Sequence, residues 1–232
     1  MAGIQNPNLE ILLLAVHHLE ELVDDMVFLG GCATGLLITD KAAPPIRITR
    51  DVDAIVQISS RVAYYELSKK LRAKGFAEDH QPGAPICRWN KQGVILDIMP
   101  TDPNILGFGN EWYQLATDNA EVITIKNNIT IQMVSSVYFM ITKIEAFKGR
   151  GNNDFLLSHD IEDLIAVIDG RPELLLDVRN SNENVKIALS QELSNFMQEQ
   201  QFIDSISGHL PTDTASQARI PKIITIINKI IG

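Results

Sequence analysis

The chain has 232 residues, 45% of them hydrophobic and 21% charged, with a net charge of −9 and a pI near 5.0. That apolar mass excludes a disordered chain, the acidic balance excludes a general binder of phosphate backbones, and two cysteines, Cys32 and Cys87, exclude a disulfide framework or a four-thiolate zinc site. The length suits one large domain or two small ones.

The elements follow in chain order. Asn8 is placed to cap a helix running to about Asp25, with Leu9, Leu12, Leu13, Val16, Leu19 and Val23 on one stripe. The apolar run Ile11–Val16 is far shorter than the roughly 20 residues of a membrane span. No basic leader or cleavage site precedes it, so a cytoplasmic protein with no membrane contact is expected. His17-His18 lacks a third ligand at sensible spacing and reads as surface. Met26–Leu29 is a short strand stopping at Gly30-Gly31, and Cys32–Ile38 is a short helix. Thr39–Ile48, with Pro44-Pro45, is a loop.

Asp51–Ile58 is β-branched and alternating, hence a strand. A helix capped by Ser59 or Ser60 runs to Lys74 and ends at Gly75. Pro85–Asn90 and Val94–Met99 are strands joined by the turn signal Lys91-Gln92-Gly93. Glu121–Ile125 and Ile129–Met133 form a second hairpin around Asn127-Asn128. From Ser135 the period is helical to Phe147; Ser158 caps a helix over Asp160–Asp169, closed by Gly170. The rest is helical, and Ile223, Ile224, Ile227, Ile230 and Ile231 give its end one apolar face for docking. The fold class expected is α+β: a mixed sheet flanked by helices over residues 1–135 and a C-terminal helical part over 136–232.

The chemistry concentrates in Thr49-Arg50-Asp51-Val52-Asp53. Aspartates at i and i+2 on a strand share a face, and like charges so close are tolerated cheaply only with a cation between them. Hard carboxylate oxygens suit Mg²⁺ or Mn²⁺. Asp97 lies in an otherwise apolar strand, where a lone carboxylate is costly unless paired or metal-bound. Were the two strands neighbours, three carboxylates would converge, as two-metal phosphoryl or nucleotidyl transfer requires. The alternative is solvated edge-strand aspartates and a turn cap. Gly30-Gly31, between a strand and a helix N-terminus, lets a phosphate approach the backbone, or is simply a tight turn.

Phe28-Leu29-Gly30-Gly31, Arg47-x-Thr49-x-Asp51-Val52-Asp53 and Asp97 together resemble the polymerase-β type nucleotidyltransferase superfamily, and within it the AbiEii-like branch of toxin and abortive-infection enzymes. The resemblance continues through Lys143-Ile144-Glu145-Ala146-Phe147-x-Gly149-Arg150 and Ser158-His159-Asp160-Ile161-Glu162-Asp163-Leu164, spanning about residues 26–170. It departs in the nineteen residues between Gly31 and Asp51, longer than the superfamily's usual interval. The resemblance implies a nucleotidyltransferase-like sheet and Mg²⁺ or Mn²⁺ on Asp51, Asp53 and Asp97. It also implies an NTP substrate (ATP among the candidates) held by Gly30, Gly31, Arg47, Thr49, Lys143, Arg150 and Asp160. Lys143 would reach the triphosphate and Asp160 would orient Lys143. An RNA or protein acceptor and an antitoxin partner belong to the same expectation. On chemistry alone, Lys143 and Arg150 are equally basic residues on a solvated helix face, and Asp160 and Asp163 favourable acids in a first helical turn. Two rival functions are a non-catalytic nucleotide-sensing or partner-binding member and a small-molecule, antibiotic-type nucleotidyltransferase.

Overall fold

The computed structural model describes residues 6–232. By its contacts the chain divides into two units, one of Pro7–Gly35 and Arg47–Ser135, the other of Leu36–Ile46 and Ser136–Gly232. The second unit therefore takes a short segment from the middle of the first unit's sequence.

The first unit opens with α1 (Leu9–Leu19), which ends at Glu20, a residue with φ of +53°. Glu20–Asp25 continues as a 3₁₀ turn, so the expected single helix to Asp25 is two pieces. There follow β1 (Met26–Leu29), α2 (Gly30–Leu37), β2 (Asp51–Val56), α3 (Arg61–Ala73), β3 (Ala77–Glu78), β4 (Arg88–Lys91) and β5 (Val94–Pro100). After them come α4 (Tyr113–Asp118), β6 (Glu121–Thr124) and β7 (Thr130–Met133). The seven strands form one sheet in the order β3-β4-β5-β2-β1-β7-β6.

The pairing is mixed. β2 runs parallel to β5 and β1 parallel to β7, while β1 is antiparallel to β2 and β4 to β5. Parallel neighbours need a long crossover, and α3, capped by Ser60 on the Ala63 N–H, lies within the one from β2 to β5. Gln92 and Gly93 both have positive φ, +45° and +85°, the backbone of a tight hairpin turn between β4 and β5. The central strands are dry: β1 is buried throughout, and Val52, Ala54, Ile55, Leu96 and Ile98 have no exposed surface. His18 is buried rather than at the surface, edge-on to Phe76, and burial lowers its pKa.

The second unit is helical: α5 (Ser136–Arg150), α6 (His159–Gly170), α7 (Leu174–Asn180), α8 (Glu183–Gln198), α9 (Gln200–Ser205), α10 (Thr214–Gln217) and α11 (Ile220–Ile231). Its core carries a cluster of Phe147, Phe155, Phe196 and Phe202, with ring centroids 4.7–5.6 Å apart. Ile223, Ile227 and Ile230 of α11 are buried against α6, α7 and α8. The Leu36–Ile46 segment is tied in by Thr39 and Asp40, whose N–H groups both donate to the Gly170 carbonyl at 3.0 and 2.9 Å. Arg219, the residue before α11, bridges Asp40 and the buried Asp169. Among the described residues no helix is long and apolar enough to cross a membrane.

Candidate active site

In the first unit β2 and β5 lie side by side, and their register pairs Asp53 with Asp97 and Asp51 with Ile95. Alternation along β2 puts Asp51 and Asp53 on one face, leaving Val52 fully buried on the other. The three acids expected to converge thus sit on adjacent strands of one sheet. Asp97 is the most enclosed, its side chain 9% exposed against 33% for Asp51.

The glycine pair is set by these acids. Gly30 opens α2 with φ of +69°, and a Cβ there would overlap the Asp53 carboxylate. A Cβ on Gly31 would lie 2.9 Å from Thr49 Cβ and 3.0 Å from Arg47 Nη2. Missing side chains therefore admit Asp53, Thr49 and Arg47 to the start of a helix, where the helix dipole favours negative charge. Thr49 Oγ1 donates to Asp51 Oδ1 at 2.7 Å, fixing that carboxylate from its own strand's entry. Cys32 is fully buried, and its thiol donates to the Asp51 carbonyl at 3.2 Å. Cys87 is also buried; burial first, then the charges of Asp97 and Asp53, push its thiol up to about 12.

Two residues of this site were not anticipated. Asn8 makes no side-chain cap to α1. Its amide instead donates to the carbonyls of Gly31 and Arg47 at 3.1 Å each, and its oxygen accepts the Thr49 N–H at 3.0 Å. An asparagine before a helix carries no signal of such a distant duty. The second is Arg88 on β4. Its Nε and Nη2 donate to the two oxygens of Asp97 at 2.8 and 2.7 Å, and Nη2 also reaches Asp51 Oδ2 at 3.2 Å. These carboxylate bonds raise the guanidinium's pKa further. Here a signal did exist: the turn at Gln92–Gly93 pairs Lys91 with Val94, and counting back sets Arg88 opposite Asp97.

The donor set suits a hard divalent ion, being carboxylates on one face of paired strands. As arranged, however, no three His, Cys, Asp or Glu side chains among the described residues converge on one ion position, and the cation already bonded to Asp97 and Asp51 is Arg88.

The remaining expected residues, Lys143, Arg150 and Asp160, lie together in the second unit. Lys143 of α5 is buried, with Nζ donating to Asp163 Oδ2 at 2.6 Å and Asp160 Oδ1 at 3.1 Å on α6. Arg150 forks onto both oxygens of Asp160 at 2.8 and 2.9 Å, its own side chain otherwise exposed. Burial opposes ionisation of Asp160, and the bonds and charges of Arg150 and Lys143 outweigh it, so its pKa is lowered. Ser158 caps α6 by accepting the Ile161 N–H, which starts the helix in register for these contacts.

The fold is similar to that of JHP933 from Helicobacter pylori. The likeness covers 100% of this chain and 94% of that one at a TM-score of 0.50, with 12% sequence identity, so it is a likeness of fold. An antigenic nucleotidyltransferase-like protein from Paracoccidioides brasiliensis also matches, at 20% identity over 92% of this chain and 98% of that one, with a TM-score of 0.49. No family model matches the chain, and no curated protein does.

Proposed function

We propose that this chain is a metal-dependent nucleotidyltransferase that moves a nucleoside monophosphate from an NTP to an RNA or protein hydroxyl, as in the AbiEii-like toxin branch it resembles. The observation that carries the reading is the placement of Asp51, Asp53 and Asp97 on one face of β2 and β5, beside the Gly30–Gly31 turn. Asp51, Asp53 and Asp97 would hold Mg²⁺ or Mn²⁺. Such an ion, when bound, supplies stabilisation of charge developing on phosphoryl oxygens. In the reaction the acceptor oxygen bonds to the α-phosphorus, the bond to the bridging oxygen breaks, and pyrophosphate leaves. A carboxylate of the set accepts the acceptor's proton. Arg47, whose guanidinium lies over Gly31, is suited to a phosphate oxygen, and Thr49 keeps Asp51 oriented. Lys143, Arg150 and Asp160 belong to the proposal through the resemblance alone. With a net charge of −9, any RNA acceptor is held by a local basic patch. An antitoxin partner belongs to the same reading.

The test is label transfer from each α-labelled NTP to total RNA and to lysate protein with Mg²⁺ or Mn²⁺, beside Asp53→Asn. Label in RNA or protein that disappears in the variant supports the reading; transfer retained by a folded Asp53→Asn protein refutes it. The binding-only alternative is favoured by one observation, the engagement of both Asp97 oxygens by Arg88. NTP binding by calorimetry with no label in any fraction, small molecules included, would select it.

A further inference from the structure

We propose that Arg88 is a resident counter-ion of the carboxylate site, which yields Asp97 and Asp51 to an incoming divalent cation and then pairs with the phosphates of the nucleotide. The proposal rests on the nucleotidyltransferase reading.

Three carboxylates on one face repel one another, and an empty site of that kind pushes the side chains apart or protonates one of them. Arg88 removes the conflict by forking onto Asp97 and reaching Asp51. The fork is built in. Arg88 and Asp97 are direct partners across the antiparallel β4–β5 pair, so their side chains share a face. The next residue, Trp89, is 2% exposed on the other face, and Arg72 lies 5.6 Å from its ring. That anchor holds β4 while leaving the Arg88 side chain 22% exposed and able to swing.

The oxygens bonded to Arg88 are the ones a cation needs, so the two compete for them. A guanidinium is weakly hydrated and matches phosphate as well as carboxylate. Once displaced, it stays on the face of the acids, placed to pair with the phosphates of an arriving nucleotide. The site is then kept assembled when empty, takes up bare cations weakly, and takes up cation and triphosphate together.

The test is a Mn²⁺ titration read by the electron paramagnetic resonance of the free ion, with and without inorganic tripolyphosphate. The proteins are wild type, Arg88→Ala, Arg88→Lys and Asp53→Asn, their folding checked by circular dichroism. Tripolyphosphate avoids any assumption about the base. Arg88→Ala is expected to bind Mn²⁺ alone at least tenfold more tightly than wild type and tripolyphosphate with Mn²⁺ at least tenfold more weakly. Arg88→Lys, which cannot fork, is expected to change both in the same directions by less, and it carries the test if the alanine variant does not fold. A purely structural arginine would weaken both affinities, and that result, or no change in either, overturns the proposal. If wild type and Asp53→Asn bind Mn²⁺ alike, the nucleotidyltransferase reading falls as well. If binding depends on Asp53 but not on Arg88, only the counter-ion role falls.

Discussion

The carboxamide oxygen of Asn8 accepts the backbone N–H of Thr49 at 3.0 Å, joining the N-terminal helix to the entry of the strand that carries Asp51 and Asp53. With its two donated bonds to Gly31 and Arg47, this one buried side chain aligns the glycine turn with the acids. Asn8→Ala leaves a buried N–H and two carbonyls without their partner, which costs about 2–3 kcal/mol. Asn8→Asp keeps the acceptor and loses both donors. Thermal melts should rank wild type above both variants. Label transfer should fall in both, because the Gly31–Thr49 alignment loosens.

Gly30 is tied to Asp53 by space. Gly30→Ala places a methyl where the Asp53 carboxylate lies, on a backbone with φ of +69° that L-residues rarely adopt. The expected result is a loss of at least about 1–2 kcal/mol in denaturant unfolding, together with loss of transfer. Gly93→Ala, at φ of +85° with open space around it, is the control. It should show the backbone strain in the melt and keep most of the transfer.

Lys143 is the shared partner of two buried carboxylates. Lys143→Met removes the cation that Asp160 and the buried Asp163 share, a change worth about 3–5 kcal/mol. The melting temperature should drop by roughly 10 °C, on the scale expected for a chain of this size. A variant with an unchanged melt would show that the cluster does not hold α5 against α6.

The same cluster sets an acid limit. The folded Asp160 carboxyl is held below its ordinary 3.8, so the unfolded chain takes up that proton first as pH falls. The contribution is complete above about pH 5, shrinks from about pH 4 downward and is gone below the folded value. Arg150→Ala removes a fork from Asp160, and its acid unfolding curve should begin at higher pH than that of wild type. Circular dichroism against pH reads the shift.

Neither cysteine should react in the native state. Cys32 is enclosed and its thiol is already donating, while Cys87 has its thiol pushed up to about 12. Both are sheltered and Cys87 is protonated at pH 8, so iodoacetamide should label them only after urea is added, as mass spectrometry would show.

Much of this was legible in the residues. Asp51, Val52 and Asp53 alternate as a strand must, and the lone acid in Val94–Met99 announced a polar partner. That partner was harder to read than the metal-ligand pattern, because Arg88 belongs to a strand whose register is fixed by a turn three residues away. Asn8 was illegible for a different reason: its bonds run to residues 23, 39 and 41 positions distant, and periodicity reports only local geometry. The break at Glu20 was hidden too, since the apolar stripe continues to Val23 while the backbone turns over. His18 misled through its neighbour, since a histidine pair beside glutamates looks solvated even when one ring faces Phe76.

Thr39 and Asp40 hang from the carbonyl of Gly170, which leaves the ribosome more than a hundred residues later. At about 5–20 residues per second, the segment Leu36–Ile46 waits on the order of ten seconds for its acceptor to be made. Arg219, which clasps Asp40 from the far end of the chain, comes later still. During that interval α2, which starts at Gly30 beside Asp53, is fixed at one end and unfastened at the other.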